Sequence, residues 1–226
     1  MSVAEKLDIH ESYRGTLEQM NFAEGVVPEV LTRIYEESIN IVVLQRDLTQ
    51  QINLYCQQLV EKSPHFQLRS AIKHADSSKS LDSLLPEVEG KTEFVNDINL
   101  LLDMYSCLFD LEEVGVRLQV LDRAMCPRFH TDKLGCRLVS TYQGPATEWL
   151  PNDCLDRTKL GAGNMGLSDA ESGLYPSAES VQQVSAGDVV LLKGEGWFGN
   201  EGHGAVHRSP TITNLQKRIV VTMDFA

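Results

Sequence analysis

No stretch of the chain approaches eighteen apolar residues, so a membrane-spanning helix is not expected. The opening Met-Ser-Val-Ala-Glu-Lys has no basic segment leading into an apolar core, and the protein is read as cytoplasmic rather than exported. Cysteine is sparse: Cys56, Cys107, Cys126, Cys136 and Cys154 are odd in number, scattered, and form no CxxC pair. That usage suits reduced thiols and excludes a disulfide framework. Basic residues are too few to favour nucleic acid. The 20 Lys and Arg stand against 32 Asp and Glu, the net charge is −12, and no Lys/Arg run interrupts it. Phosphate backbones and anionic lipid surfaces would be repelled. A small anionic ligand is not excluded, because one buried Arg outweighs distant, screened charges at short range. Internal repeats, heptad arrays and low-complexity tracts are absent as well.

What is present is an ordinary globular composition, 42% hydrophobic and 23% charged over 226 residues, enough for a full core without staples. The first half carries a short β-rich run, Ile39 to Leu44, and a helix-like stretch from Leu48 to Lys62. In that stretch Leu48, Ile52, Tyr55, Cys56 and Leu59 recur at three and four residues, and Pro64 marks its end. A second amphipathic helix is expected from about Thr92 to Glu113, with Phe94, Ile98, Leu101, Leu102, Tyr105, Leu108 and Phe109 on one face. The period then changes. Val114–Val120, Arg137–Tyr142, Asp188–Lys193 and Arg218–Phe225 read as strands separated by turn residues. In the last of these, side-chain alternation sets Ile219, Val221, Met223 and Phe225 toward the helices and sends Arg218 inward with Val220, Thr222 and Asp224. The expected division is a mainly helical region over 1–112 and a β-domain over 113–226. Between Pro151 and Gly187 lies a long Gly-, Ser-, Asn- and Asp-rich stretch with one weak strand near Val181 to Val184, either a functional lid or an insertion.

Chemistry concentrates in the β-domain. In Cys126-Pro-Arg-Phe-His130-Thr-Asp132, residues two apart on extended backbone face one side, so His130 and Asp132 are placed to grip one ion. A His-x-Asp is a weak signal alone. In Gly202-His-Gly-Ala-Val-His207-Arg-Ser-Pro210 the glycines and proline exclude a helix. Extended backbone would then separate His203 from His207 by about 13 Å, so only one of them can share the ion. His207 is chosen because it lies within the apolar stretch. Arg218 opens the final strand eleven residues later.

This order of a His-x-Asp, a distant His and an Arg on the last strand resembles the non-haem iron, 2-oxoglutarate-dependent oxygenases. The resemblance implies a double-stranded β-helix (jelly-roll, cupin-like) barrel of α+β class braced by N-terminal helices. It also implies Fe(II) held by His130, Asp132 and His207 on one octahedral face, with Arg218 on the distal carboxylate of 2-oxoglutarate. Tyr142 is a candidate to reach the same cofactor from its strand, and no catalytic group beyond the metal ligands is assigned. More narrowly, Cys126-Pro-x-x-His-x-Asp, Thr141-Tyr-x-Gly-Pro-x-Thr-Glu-Trp-Leu150, Leu191-Leu-Lys-Gly-x-x-Trp197 and Val206-His-Arg-Ser-Pro210 resemble an uncharacterised bacterial family, a domain of unknown function, over roughly residues 28–226. That resemblance implies bacterial origin and an association with zinc homeostasis, which leaves a non-catalytic zinc-binding protein as the alternative. Cys126 and Cys136 extend the ligand set toward zinc. Arg218 has its own alternative, as an ion-pair partner of Asp224 or Glu148. Trp149, Trp197 and Phe198 suit packing better than a substrate cage. The second substrate, small molecule or protein, and the oligomeric state are left open.

Overall fold

The computed structural model describes residues 21–73, 77–213 and 216–226; the opening residues, on which the reading about export rests, lie outside them. Among the described residues ten strands form two sheets. In chain order they are β1 (Phe22–Gly25), β2 (Ile41–Leu44), β3 (Gln67–Lys73), β4 (Glu113–Leu121), β5 (Cys136–Gln143), β6 (Glu148–Leu150), β7 (Gln182–Gln183), β8 (Val189–Lys193), β9 (Val206–Arg208) and β10 (Arg218–Phe225). The large sheet has the order β1-β2-β8-β5-β10-β4-β3 and the small one β7-β6-β9. Only β1 and β2 run parallel among these described pairings.

Alternation decides what each face of the large sheet meets. Ile219, Val221 and Met223 of β10, with Val114, Val116 and Leu118 of β4, turn toward two helices, α1 (Gln50–Lys62) and α3 (Lys91–Phe109); a short α2 (Ser77–Leu84) lies between them in the chain. Ile52, Tyr55 and Leu59 of α1 and Phe94, Ile98, Leu101 and Tyr105 of α3 complete that core. Thr49 caps α1 by accepting the Ile52 N–H. Gly90 opens α3 at φ 83°, and a Cβ there would lie 2.2 Å from the Gln51 carbonyl oxygen, so only glycine lets the two helix starts approach. The second helix stops earlier than its periodicity predicts. Asp110 adopts φ 53°, which breaks the helix and frees Glu113 to begin β4.

The other face of the large sheet packs on the small sheet, with Ile41, Val43, Val139, Val190, Leu192 and Val220 against Trp149 and Ala205. The architecture is a sheet-rich α+β fold of two facing layers; hydrogen bonding runs within each sheet, and no barrel closes among the described residues. The described part of residues 1–112 is also less helical than expected, because β1 and β3 join the large sheet from that half beside the anticipated strand β2. Ile41–Leu44 is buried on both faces as a central strand demands, while β3 is an edge strand whose alternation is mostly polar. The 151–187 stretch forms successive 3-10 turns. Leu155, Leu160, Leu174, Tyr175 and Val181 attach it to Phe129, Leu150 and Val206 on the outside of the small sheet.

Candidate metal centre

Backbone pairing, not side-chain attraction, brings the two histidines together. The His130 N–H donates to the His207 carbonyl and the His207 N–H to the His130 carbonyl, each at 3.0 Å, which adds one rung to the small sheet beside β9. Residues that exchange both hydrogen bonds across an antiparallel pair send their side chains to the same face. The ring centroids lie 4.5 Å apart. Asp132, two residues further on, places Oδ1 3.8 Å from His130 Nε2 and Oδ2 3.6 Å from His207 Nε2. One donor atom from each of the three residues falls within 4.8 Å of the others.

Both imidazoles are held in one tautomer. His130 Nδ1 stands 3.0 Å from the Arg128 carbonyl and His207 Nδ1 3.0 Å from the Ala205 carbonyl. A carbonyl only accepts, so these bonds put the proton on Nδ1 and leave the Nε2 lone pairs facing Asp132. Burial pulls His207 down to about 4, against a smaller opposing pull from Asp132, and keeps its ring neutral near pH 7. Neutral imidazole and carboxylate are the protonation states a divalent ion requires.

The carboxylate is fixed from behind. Arg137 Nη1 donates to Asp132 Oδ2 at 2.8 Å, and the same guanidinium forks onto Asp224 at 2.6 and 3.0 Å. Sequence reasoning missed Arg137, although its alternation with Val139 and Thr141 on β5 was available as a signal. It also missed Asp169. The Asp169 carboxylate accepts from the Phe129 N–H at 2.9 Å, from Arg128 at 2.9 Å and from Arg208 at 3.3 Å, gripping the neighbours of both histidines from within the 151–187 segment.

Arg218 is 3% exposed and lines the same cavity as His130, His207 and Arg137. Its Nη2 donates to Thr141 and Thr147 hydroxyls, both at 3.1 Å, and its Nε has no partner. No carboxylate stands within 4 Å of it among the described residues, and burial holds it down to about 10. The ion-pair alternatives are taken elsewhere: Glu148 by Arg208 at 2.5 Å, and Asp224 by Arg137 and Arg117.

Two expectations are corrected. Tyr142 faces the helices, packed against Phe94 with its hydroxyl donating to Asp97 at 2.5 Å, on the far side of the sheet from Arg218. Cys136 shares that face and leaves the rival zinc set, while Cys126 lines the cavity. His203 is exposed and stays outside the cluster, which fits the choice of His207. Trp149 packs between the sheets against Phe22, and Trp197 against Tyr35 and Phe109.

No helix among the described residues is long and apolar enough to cross a membrane. No curated protein matches the chain. Solved structures similar to it include a Pseudomonas putida prolyl-4-hydroxylase at 10% identity and TM-score 0.46, covering 88% of this chain and 97% of that one. The dioxygenase for auxin oxidation 1 from Arabidopsis thaliana, as a 2-oxoglutarate complex, is similar at 7% and 0.48, covering 91% and 92%. HygX from Streptomyces hygroscopicus with iron bound is similar at 10% and 0.47, covering 88% and 86%. At these values the likeness assigns no activity to this chain. Residues 25–224, which carry the whole His130–Asp132–His207 cluster and Arg218, match the family described as "Protein of unknown function (DUF1826)", and the chain belongs to that family.

Proposed function

We propose that His130, Asp132 and His207 hold a single Fe(II), that Arg218 receives the distal carboxylate of 2-oxoglutarate, and that the protein is an oxygenase of the hydroxylase type. One observation carries this reading: a buried guanidinium without a carboxylate counter-ion among the described residues lines the cavity that the histidines face. An unpaired buried charge costs several kcal/mol, and a dicarboxylate ligand offsets that cost with charge-assisted hydrogen bonds. The donor set fits the ion, since two neutral imidazoles and a carboxylate leave coordination positions for a keto-acid and dioxygen.

Fe(II) bound there would supply the oxygen chemistry. The chain's own residues bind, orient and exclude water. His130 and His207 offer Nε2, Arg137 keeps Asp132 turned toward them, and Arg218 with Thr141 and Thr147 fixes one end of the keto-acid. Val139 and Val220 wall the cavity with hydrocarbon. The cavity opens to solvent beside the exposed Met125 and Cys126, the side from which the keto-acid would enter.

Cys126 supports a second reading. A soft donor on the same cavity favours zinc, held without turnover in metal homeostasis. Anaerobic titration with Fe(II) and 2-oxoglutarate separates the two: the oxygenase gives a weak visible charge-transfer band, then succinate once oxygen is admitted. Protein purified without added metal that carries stoichiometric zinc and forms neither band nor succinate supports the zinc reading instead.

A further inference from the structure

The stretch Leu191-Leu-Lys-Gly-x-x-Trp197 has no part in the site described so far, yet where it leaves β8 it runs alongside the loop that carries Asp132. Three successive backbone donors join the two loops. The Gly194 N–H gives to the Gly135 carbonyl at 2.8 Å, that of Glu195 to Asp132 at 2.8 Å, and that of Gly196 to Leu134 at 2.9 Å. The approach is close enough to require glycine on both sides of Glu195. A Cβ on Gly194 would lie 2.1 Å from the Leu134 carbonyl oxygen, and one on Gly196 2.4 Å from that of Lys133. Trp197 then pins the far end of the stretch against Tyr35 and Phe109.

Glu195 is the one side chain between those glycines, and it is spent on the two neighbours of Asp132. The Thr131 hydroxyl donates to Oε1 at 2.5 Å, and the Lys133 ammonium pairs with Oε2. One carboxylate thus grips the residues before and after the metal ligand, while the N–H of the same residue grips the ligand's own carbonyl. The Lys133 ammonium and the Thr131 hydroxyl hold the Glu195 carboxyl below the usual carboxylate range, so it is an anion near pH 7. The stretch also reaches the other side of the centre. The Lys193 carbonyl accepts the Ala205 N–H at 2.8 Å, and the Ala205 carbonyl is the one that receives His207 Nδ1.

We infer that Glu195 is a positioning residue for the metal centre: it fixes the backbone from Thr131 to Lys133 so that the Asp132 carboxylate meets an ion held at the Nε2 atoms of His130 and His207. It raises the affinity for that ion without being one of the donors that converge on it. Arg137 and Glu195 divide the task. The guanidinium of Arg137 holds the carboxylate end of Asp132, and Glu195 holds the main chain from which that side chain leaves. The inference rests on the metal site of the reading above and is the same for iron and for zinc.

The test is a titration of the metal-free chain with Co(II), read by its visible d–d bands at a temperature well below unfolding, so that only the affinity of the folded protein is measured. Glu195→Ala should weaken binding by about tenfold or more, as loss of a group that orients a ligand does. Thr131→Val removes the same grip by a smaller change and should act in the same direction, which keeps the test open if Glu195→Ala fails to fold. Glu195→Gln keeps Oε1 as the acceptor for Thr131 and gives up only the exposed Lys133 pair, so it should stay within about threefold of the unaltered chain. A role in folding alone lowers the Tm of Glu195→Ala and leaves the Co(II) affinity of the folded chain where it was. That result, or Glu195→Gln binding as weakly as Glu195→Ala, overturns the inference. An unaltered chain that takes up no Co(II) overturns the metal centre and the inference together. Co(II) affinities that follow the variants in a chain giving no Fe(II) and 2-oxoglutarate band uphold Glu195 and overturn the oxygenase alone.

Discussion

Replacing Arg218 by Met separates a guanidinium kept for a ligand from one kept for the fold. Burial without a carboxylate pulls Arg218 well below the ordinary arginine range, to about 10, which at 1.36 kcal/mol per pH unit costs the folded protein about 3 kcal/mol. Met keeps an apolar stem and removes the charge. Against that gain stand two hydrogen bonds, to Thr141 and Thr147, at about 1 kcal/mol each. Arg218→Met should therefore be more stable than the unaltered chain by about 1 kcal/mol, a rise of roughly 2–4 °C in Tm at this size. The ligand response should move the opposite way. Loss of a charged hydrogen-bonding partner weakens binding by about 1.5–3 kcal/mol, roughly 10- to 150-fold. At a concentration of 2-oxoglutarate one hundred times its Kd, the Fe(II)-loaded unaltered chain gains about 2.7 kcal/mol, and Arg218→Met only a fraction of that. The assay is thermal unfolding of both chains, with and without the keto-acid. A variant that is less stable without ligand, or that keeps the full ligand shift, refutes the reasoning.

His130→Ala and His207→Ala should each abolish stoichiometric metal retention, read by elemental analysis after gel filtration, because either change leaves only two donors. Asp169→Ala removes the anchor between the 151–187 segment and the residues beside both histidines; a loss of about 1.5–3 kcal/mol, or about 3–12 °C in Tm, is expected, with faster proteolysis inside the segment. Gly90→Ala should cost more than about 3 kcal/mol in urea unfolding, since the added Cβ meets the Gln51 carbonyl at 2.2 Å. Gly173→Ala, at φ 78° in open space, should cost only about 1 kcal/mol. A thiol reagent at pH 8 should label the exposed Cys107 and Cys126 quickly and spare Cys56, whose thiol burial pushes up to about 12.

Strand parity made much of the site legible. The alternation of β10 put Arg218 opposite Ile219, Val221 and Met223, and the two-residue spacing put Asp132 beside His130; both arrangements are found in the structure. The same parity argues against Tyr142, which shares its face of β5 with Cys136 and Leu138 rather than with Arg137. Which face turned inward was not written in that strand, because both of its sides are largely buried. Arg137 and Asp169 escaped notice for a different reason. Their partners lie across the sheet or tens of residues away, Asp224 for one and Arg208 for the other, and local pattern carries no trace of such pairings. The strands of the first half were obscured by brevity at β1 and by a polar edge at β3.

The doubly hydrogen-bonded rung between His130 and His207 gives the site an odd–even rule of inheritance. Lengthening either segment by one residue between its turn and its histidine rotates that imidazole to the opposite surface, whereas adding two restores it. Among lengthened relatives with a working centre, paired insertions should therefore outnumber single ones at these two places.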